Sequence, residues 1–367
     1  MSSARKFVIY LAVLPKYRDA CIELVRADLG SDLAIFVSPA HLDETVTTGI
    51  RGSSYEPVKM IRLFGNRAFL QVGGGAAAIR ADTTLVDLNP RSLTAWLILI
   101  SRAALRRRTL VWGHLYPQSG AESMTARLRK VMRRLAAGTV TYTLDNLSAA
   151  KLDIPGKPAW AAPNALYTTA QLAVQTPLEI PRTDLLYVGR FEPAKKVSLA
   201  IEAFAIFGRT EPSARLVLIG GGSQEEELRQ LATGLEIADR VVFAGWIDEI
   251  DRLRDFYASA FASVSPGFAG LGLTQSLGFG VPMIIANGER HSPEIELAVP
   301  GDSEWFASDD PVDFARAIAL MWGSRDEVPL KNSMRHISEV YSADSMASGL
   351  IAALRGEPAA LAAASNS

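Results

Sequence analysis

Short apolar runs alternate with helix-period segments along most of this chain, and the alternation is most regular after residue 183. Residues 185–188 read as a strand and precede an apolar-periodic helix over 197–207; 215–219 precede the turn Gly220-Gly221-Gly222 and an acidic helix from Gln224. Residues 241–244 precede a helix over 249–258, 261–264 precede a helix that starts near Gly270, and 282–286 close the series. Repeated strand-helix alternation predicts a parallel, doubly wound sheet. In the first half, 7–13, 33–37, 84–86, 110–112 and 140–143 are apolar or β-branched at spacings that admit helices between them, which predicts a second open α/β domain. The stretch 162–182, with prolines near both ends, reads as the junction, and the Ala-rich chain after 355 reads as a fraying tail. The expected organisation is a domain over 1–170, a second over 183–340, and a C-terminal helix with its tail over 341–367.

The length of 367 residues suits two domains, and 49% apolar with 21% charged residues is the composition of a globular protein. No uncharged apolar run reaches the roughly 20 residues that span a bilayer. After the start at Phe7, Lys16-Tyr17-Arg18-Asp19 stands where a signal peptide would be cleaved, and Cys21 is the single cysteine. A cytoplasmic location is expected. The net charge of −1 conceals opposite halves: residues 1–182 hold 23 Lys and Arg against 13 Asp and Glu, and the remainder 15 against 26. Between 102 and 134, nine cations face Glu122 alone, and Met124, Leu128, Val131, Met132 and Leu135 recur at helical spacing among them. This basic amphipathic helix is expected to turn its apolar face to the core and its arginines to water; the other reading is contact with an anionic acceptor or with the inner face of a membrane.

Ligands of an open parallel sheet bind beyond the carboxyl ends of its strands. One predicted strand ends in Gly189-Arg190, with Lys195-Lys196 at the start of the next helix. Another opens into Ser265-Pro266-Gly267-Phe268-Ala269-Gly270-Leu271-Gly272, where glycine lets an anion approach a helix N-terminus closely. A bidentate arginine, a mobile lysine and free amides suit a diphosphate without help from a metal. The plain alternative is that Arg190 caps a helix or pairs with Glu192 while the lysines are solvated. The glycine triplet at 220–222 lacks dinucleotide spacing and reads as a tight turn.

In order and spacing, Val188-Gly189-Arg190-Phe191-Glu192-Pro193-Ala194-Lys195-Lys196-Val197, Leu216 to Gly222, Val241 to Ile247 and Ser265 to Leu271 with Gly280-Val281-Pro282 resemble the C-terminal domain of family 4 retaining glycosyltransferases, in a Ser-Pro-Gly…Gly-Leu branch. The match runs over about 183–298. The resemblance implies the GT-B fold: α/β, with two Rossmann-like doubly wound parallel-sheet domains facing a central cleft. It implies a UDP- or GDP-sugar donor, with Arg190 and Lys195 on the diphosphate and the Trp246-Ile247 backbone near the base. Gly189, Gly222, Gly270, Leu271, Gly272 and Gln275 would complete the donor site. The sugar would pass to a glycan or lipid-linked acceptor in cell-surface polysaccharide or glycolipid synthesis, with no metal or other cofactor and no nucleic-acid partner.

The chain departs from that pattern at two points. The family's two glutamates, separated by seven residues, fall here on Gly267 and Gln275. Glu294, in Ser292-Pro293-Glu294-Ile295-Glu296, is either a substitute carboxylate or half of an exposed surface pair. In the first half, His114 follows a predicted strand and a glycine, where it could hydrogen-bond a sugar hydroxyl or sit buried and satisfied. Tyr17 and Arg18 follow the first strand and are candidates for the acceptor side. A non-catalytic nucleotide-sugar-binding homologue and a sugar-nucleotide epimerase of the same fold are the alternative functions.

Overall fold

A computed structural model describes residues 5–42, 47–117, 122–173 and 180–358. The chain forms two compact units, residues 1–168 with 340–367, and residues 169–339. Part of the proline-bounded junction and most of the Ala-rich tail lie outside the described residues.

The N-terminal unit contains β1 (Phe7–Leu11), β2 (Leu33–Val37), β3 (Glu56–Pro57), β4 (Lys59–Leu63), β5 (Ala68–Val72), β6 (Thr83–Asp87), β7 (Arg108–Trp112), β8 (Gly138–Thr141) and β9 (Ala159–Ala161). Seven of these make one parallel sheet in the order β3-β2-β1-β6-β7-β8-β9. Strands β1 and β2 are buried along their whole length, which is why they read as unbroken apolar runs. The hairpin β4–β5 is not visible in that pattern, because Lys59-Met60-Ile61-Arg62-Leu63 is largely exposed and its polar residues, Lys59 and Arg62, do not alternate with apolar ones. Its turn holds Phe64, Gly65 and Asn66 at φ 52°, 60° and 67°. The helices are α1 (Asp19–Leu29), α2 (Gly75–Arg80), α3 (Leu93–Ala104), α4 (Met124–Leu135) and α5 (Leu144–Asp153).

The C-terminal unit contains α6 (Thr169–Leu172), β10 (Asp184–Val188), α7 (Val197–Phe207), β11 (Arg215–Ile219), α8 (Glu225–Gly234), β12 (Val241–Gly245) and α9 (Ile250–Ser259). It continues through β13 (Ala260–Ser265), α10 (Leu271–Gly278), β14 (Met283–Asn287), β15 (Ser303–Ala307), α11 (Pro311–Gly323) and α12 (Lys331–Val340). Its six strands are parallel in the order β12-β11-β10-β13-β14-β15. Connections run one way from β10 and the other way from β13, so the carboxyl ends of those two neighbours flank the topological switch point. The core between sheet and helices includes Val197, Phe204, Leu216, Phe261, Phe306 and Phe314, the last two rings stacked at 3.9 Å.

The chain then returns. Helix α13 (Ala343–Arg355) buries Met346, Leu350 and Leu354 with Ile9, Leu110 and Trp160 in the core of the N-terminal unit. Gly349 stands in the middle of α13 because a Cβ there would lie 2.0 Å from the Ala161 carbonyl oxygen. No helix among the described residues is long and apolar enough to cross a membrane.

The expected orientation of α4 is overturned. Met132, Ala126 and Arg133 are buried, whereas Met124, Leu128, Val131 and Leu135 are exposed. A cation can take the inner side because Asp153 receives Arg133 at 2.7 Å as well as Lys130, and the Ala150 carbonyl accepts from Arg133 at 3.0 Å. Other cations of this segment are also framework. Arg102, fully buried, donates to the carbonyls of Ala78, Ile79, Ala81, Asp82 and Arg108 and to the Thr109 hydroxyl, over 2.6–3.1 Å. It closes the C-terminal turn of α2 onto β6 and β7, with its charge at the negative end of the helix. Replacing Arg102 by Met, which keeps apolar bulk but leaves those carbonyls unpaired, is expected to destabilise the N-terminal unit by about 3 kcal/mol or more. The denaturant midpoint of wild type against variant measures it.

Candidate functional site

At the carboxyl edge of the C-terminal sheet the three strands β10, β11 and β12 end in glycine turns that bond to one another. The Gly189 amide donates to the Ile219 carbonyl, that of Phe191 to Gly221, and that of Gly220 to Gly245, all at 2.9 Å. Close approach explains the glycines: a Cβ at Gly220 would fall 1.8 Å from the Gly189 carbonyl oxygen and one at Gly222 2.5 Å from that of Phe191. Gly222 therefore acts here as a packing residue of the turn. Phe191 is buried, and the Tyr187 hydroxyl donates to the Arg190 carbonyl at 2.9 Å, so the backbone on both sides of Arg190 is pinned. The Arg190 side chain itself is exposed. Among the described residues no carboxylate pairs with it, and Glu192 instead accepts from Ser223 at 3.1 Å. Farther along the edge, Trp246 is 63% exposed with its indole N–H on Asp248 at 2.7 Å, while Ile247 is buried.

The two lysines that look equivalent in sequence part company. Lys196 has φ 51°, and its Nζ is held by Glu289 at 2.6 Å and Asp309 at 2.7 Å, so it anchors the start of α7. Lys195 turns the other way. Its Nζ lies 3.4 Å from the centroid of the Phe268 ring and donates to the Phe268 carbonyl at 3.3 Å. Burial, and then the charge of Arg190, pull the Lys195 ammonium down to about 8. The two cations thus feel each other at the switch point, a repulsion that an anion would relieve.

Gly267 makes this possible. A Cβ on it would stand 2.4 Å from the Ala194 carbonyl oxygen and 3.0 Å from Lys195 Cα, so the turn Pro193–Lys195 rests directly on its backbone. No carboxylate fits at that position without displacing Lys195. The loop beyond it is fixed by His291, whose Nδ1 accepts from the Ala269 amide and whose Nε2 donates to the Ala286 carbonyl, each at 3.0 Å. Burial lowers the pKa of His291, consistent with the neutral Nε2–H tautomer that this pair of bonds demands. Gly270 then caps α10, whose first turn, Leu271 and Gly272, presents amides that no helix bond can use. Gln275 points inward, and its Oε1 accepts from the buried Tyr257 hydroxyl at 3.4 Å. Glu294 is buried as well, in the turn Pro293–Leu297 packed on α10, so the exposed pair with Glu296 does not form.

In the N-terminal unit, the ends of β6, β7 and β8 enclose a cavity of about 550 Å³ lined by Asp87, Trp112, His114, Arg129 and Tyr142, with Arg67 and Arg91 also in its wall. Burial first, then Arg129 and Arg18, hold the His114 imidazole down to about 4, and its buried Nδ1 has no hydrogen-bond partner among the described residues. Burial pushes the Asp87 carboxyl up to about 7, against a bond from the Ala12 amide and the charge of Arg18. Arg18 does not line this cavity: it is buried, with its guanidinium carbon 4.6 Å from the Trp112 ring and 4.8 Å from that of Tyr142. Tyr17 is half-buried beside it. Asp87, Arg129 and Tyr142 escaped the sequence reading, since only the sheet order brings strand ends 25–55 residues apart together.

A family model described as glycosyl transferases group 1 matches residues 172–355. The chain belongs to that family. Its fold is GT-B, with two Rossmann-like domains. The D-inositol 3-phosphate glycosyltransferase of Acidothermus cellulolyticus is 37% identical over 114 residues, 28% of this chain and 25% of that protein. The first curated relatives are thus matched over only a quarter to a third of their length. A longer match, 72% of this chain and 74% of the relative at 27% identity, is to the GDP-mannose-dependent alpha-(1-6)-phosphatidylinositol monomannoside mannosyltransferase of Mycobacterium tuberculosis. Among solved structures, the Anabaena protein HepE in complex with UDP superposes with a TM-score of 0.70 over 96% of this chain and 100% of its own at 13% identity. The pneumococcal O-GlcNAc transferase GtfA, in complex with UDP and GlcNAc, gives 0.64 over 96% and 99% at 10% identity.

The seat under Lys195 can be tested directly. Gly267→Ala is expected to destabilise the C-terminal unit by about 1–3 kcal/mol through overpacking, and Gly267→Glu to weaken nucleotide binding rather than supply a missing carboxylate. Denaturant midpoints and calorimetric titration with UDP and GDP read the two effects.

Proposed function

We propose that the protein is a retaining, family 4 glycosyltransferase that moves a sugar from a UDP- or GDP-sugar to a glycan or lipid-linked acceptor in glycolipid or cell-surface polysaccharide assembly. One observation carries the reading: Lys195, its pKa lowered by burial and then by the charge of Arg190, stands with that arginine at the switch point of a parallel sheet, and among the described residues no carboxylate pairs with either. In the reaction the bond from the anomeric carbon to the diphosphate oxygen breaks and its electron pair stays on the β-phosphate. Arg190, Lys195 and the amides at the start of α10 neutralise that charge as it develops. The acceptor hydroxyl forms the new bond to the anomeric carbon, and its proton passes to the departing diphosphate oxygen. The Trp246-Ile247 segment contributes to the base side of the donor, and Gly189, Gly270, Leu271 and Gly272 line the phosphate path. Gln275 and Glu294, both buried, act by shaping α10 and the turn packed on it. The cavity that holds His114 serves the acceptor, with Arg18 and Tyr17 supporting its wall. No metal is invoked.

The second reading, a homologue that binds nucleotide-sugar without turning it over, draws on the absence of acidic side chains at Gly267 and Gln275. Nucleoside-diphosphate release from a panel of UDP- and GDP-sugars separates the two: turnover is expected, and tight binding with none would favour the second. Lys195→Ala and Arg190→Ala are each expected to lower kcat by about 10²-fold or more. Full turnover in both variants would exclude the site. Because the free-enzyme lysine is charged below about 8 and neutral above it, kcat/KM for the donor should fall as pH rises through about 8. Lys195→Arg, which stays charged, should flatten that limb of the profile.

A further inference from the structure

Helix α4 of the N-terminal unit wears its apolar residues outward. Met124 is 69% exposed, Leu128 40%, Val131 42% and Leu135 38%. At about 100° per residue these four fall within an arc of about 60°, so they form one continuous stripe. Arg127 and Arg134 lie along one side of it, both exposed, and neither pairs with a carboxylate among the described residues. The segment offers no compensating acid beyond Glu122. A second exposed apolar group of the same unit is Phe64, 77% exposed at the tip of the β4–β5 hairpin between Arg62 and Arg67. Arg67, three residues beyond Phe64, and Leu128 of the stripe line the wall of the same cavity as Asp87 and His114.

We infer that the α4 stripe and the Phe64 hairpin tip form a docking surface for an anionic lipid bilayer. A solvated helix face would be polar where this one carries methionine, leucine and valine. A second copy of the chain is the poorer occupant, because a two-fold contact centred on the stripe would set Arg127 and Arg134 against their own copies. A bilayer accepts both halves of the pattern: the side chains of the stripe enter the boundary between headgroups and acyl chains, and the flanking guanidinium groups meet lipid phosphates. The inner side of α4, where Asp153 of α5 holds both Arg133 and Lys130, keeps the helix fixed while its outer side stays available. This inference stands apart from the transferase reading, and its test needs no donor.

The full-length protein is sedimented with phosphatidylcholine vesicles, with and without phosphatidylglycerol. Wild type is expected to pellet with the anionic vesicles, to stay in solution with the neutral ones, and to be released as salt is raised. Val131→Glu with Leu135→Glu, and separately Arg127→Glu with Arg134→Glu, should each lower the apparent affinity at least about tenfold. Both pairs alter exposed positions, and an unchanged circular dichroism spectrum and thermal midpoint confirm the fold. Wild type that does not pellet with anionic vesicles, or variants that bind as wild type does, would overturn the inference. So would light scattering that finds wild type dimeric and the Val131/Leu135 variant monomeric, which would make the stripe a contact between copies.

Discussion

Everything at the carboxyl edge of the C-terminal sheet depends on the backbone of Ala194 and Lys195 resting on Gly267. That contact joins the two strands at the switch point: the turn belongs to the connection after β10, the glycine to the connection after β13. It sends Lys195 across Phe268, half out of water and within reach of the charge of Arg190, and it sends Lys196 the opposite way to Glu289 and Asp309. A side chain at 267 cannot share the space. The absent glutamate and the placed lysine are therefore one structural fact, and an arrangement that lacks a carboxylate gains a depressed, poised ammonium. His291 supports the same loop from below by accepting one amide and donating to one carbonyl, so the histidine beside the site holds shape instead of moving protons.

The basic character of the N-terminal unit divides into two uses. Arg102, Arg108 and Arg133 turn inward, where they donate to carbonyls at the ends of α2, α13 and α5. Arg127 and Arg134 remain outside with an apolar stripe between turns of the same helix. A count of charge along the chain cannot tell these apart, because both kinds sit in one run of sequence. Burial separates them, and the decisive partner of the inner pair, Asp153, comes from the following helix.

The legible parts of the sequence were those whose signal is local. Strands β10, β11, β13 and β14 are largely buried and read as apolar runs, as does the apolar edge strand β12; β15, Ser303-Glu304-Trp305-Phe306-Ala307, lies at the opposite edge with mixed polarity and does not. The start of α10 at Gly270 and the placement of Arg190 beside a strand end were readable from glycine and spacing. Long-range partners were not. Glu289 and Asp309, 93 and 113 residues beyond Lys196, decide which lysine faces the site. Likewise the packing of Glu294 on α10, the return of α13 to the first unit, and the meeting of Asp87 with His114 arise from topology that no sequence window contains. The orientation of α4 is illegible for a related reason: helical periodicity reports that a helix has two faces, but the choice of the inner one falls to Asp153.

A structure of the protein with UDP or GDP bound tests the central claim most directly. Phosphate oxygens are expected within hydrogen-bond distance of the Arg190 guanidinium, of Lys195 Nζ and of an amide in the first turn of α10, with the turn at 193–195 still seated on Gly267. A nucleotide bound elsewhere, or one whose phosphates leave Lys195 on Phe268 and Arg190 in solvent, would contradict it.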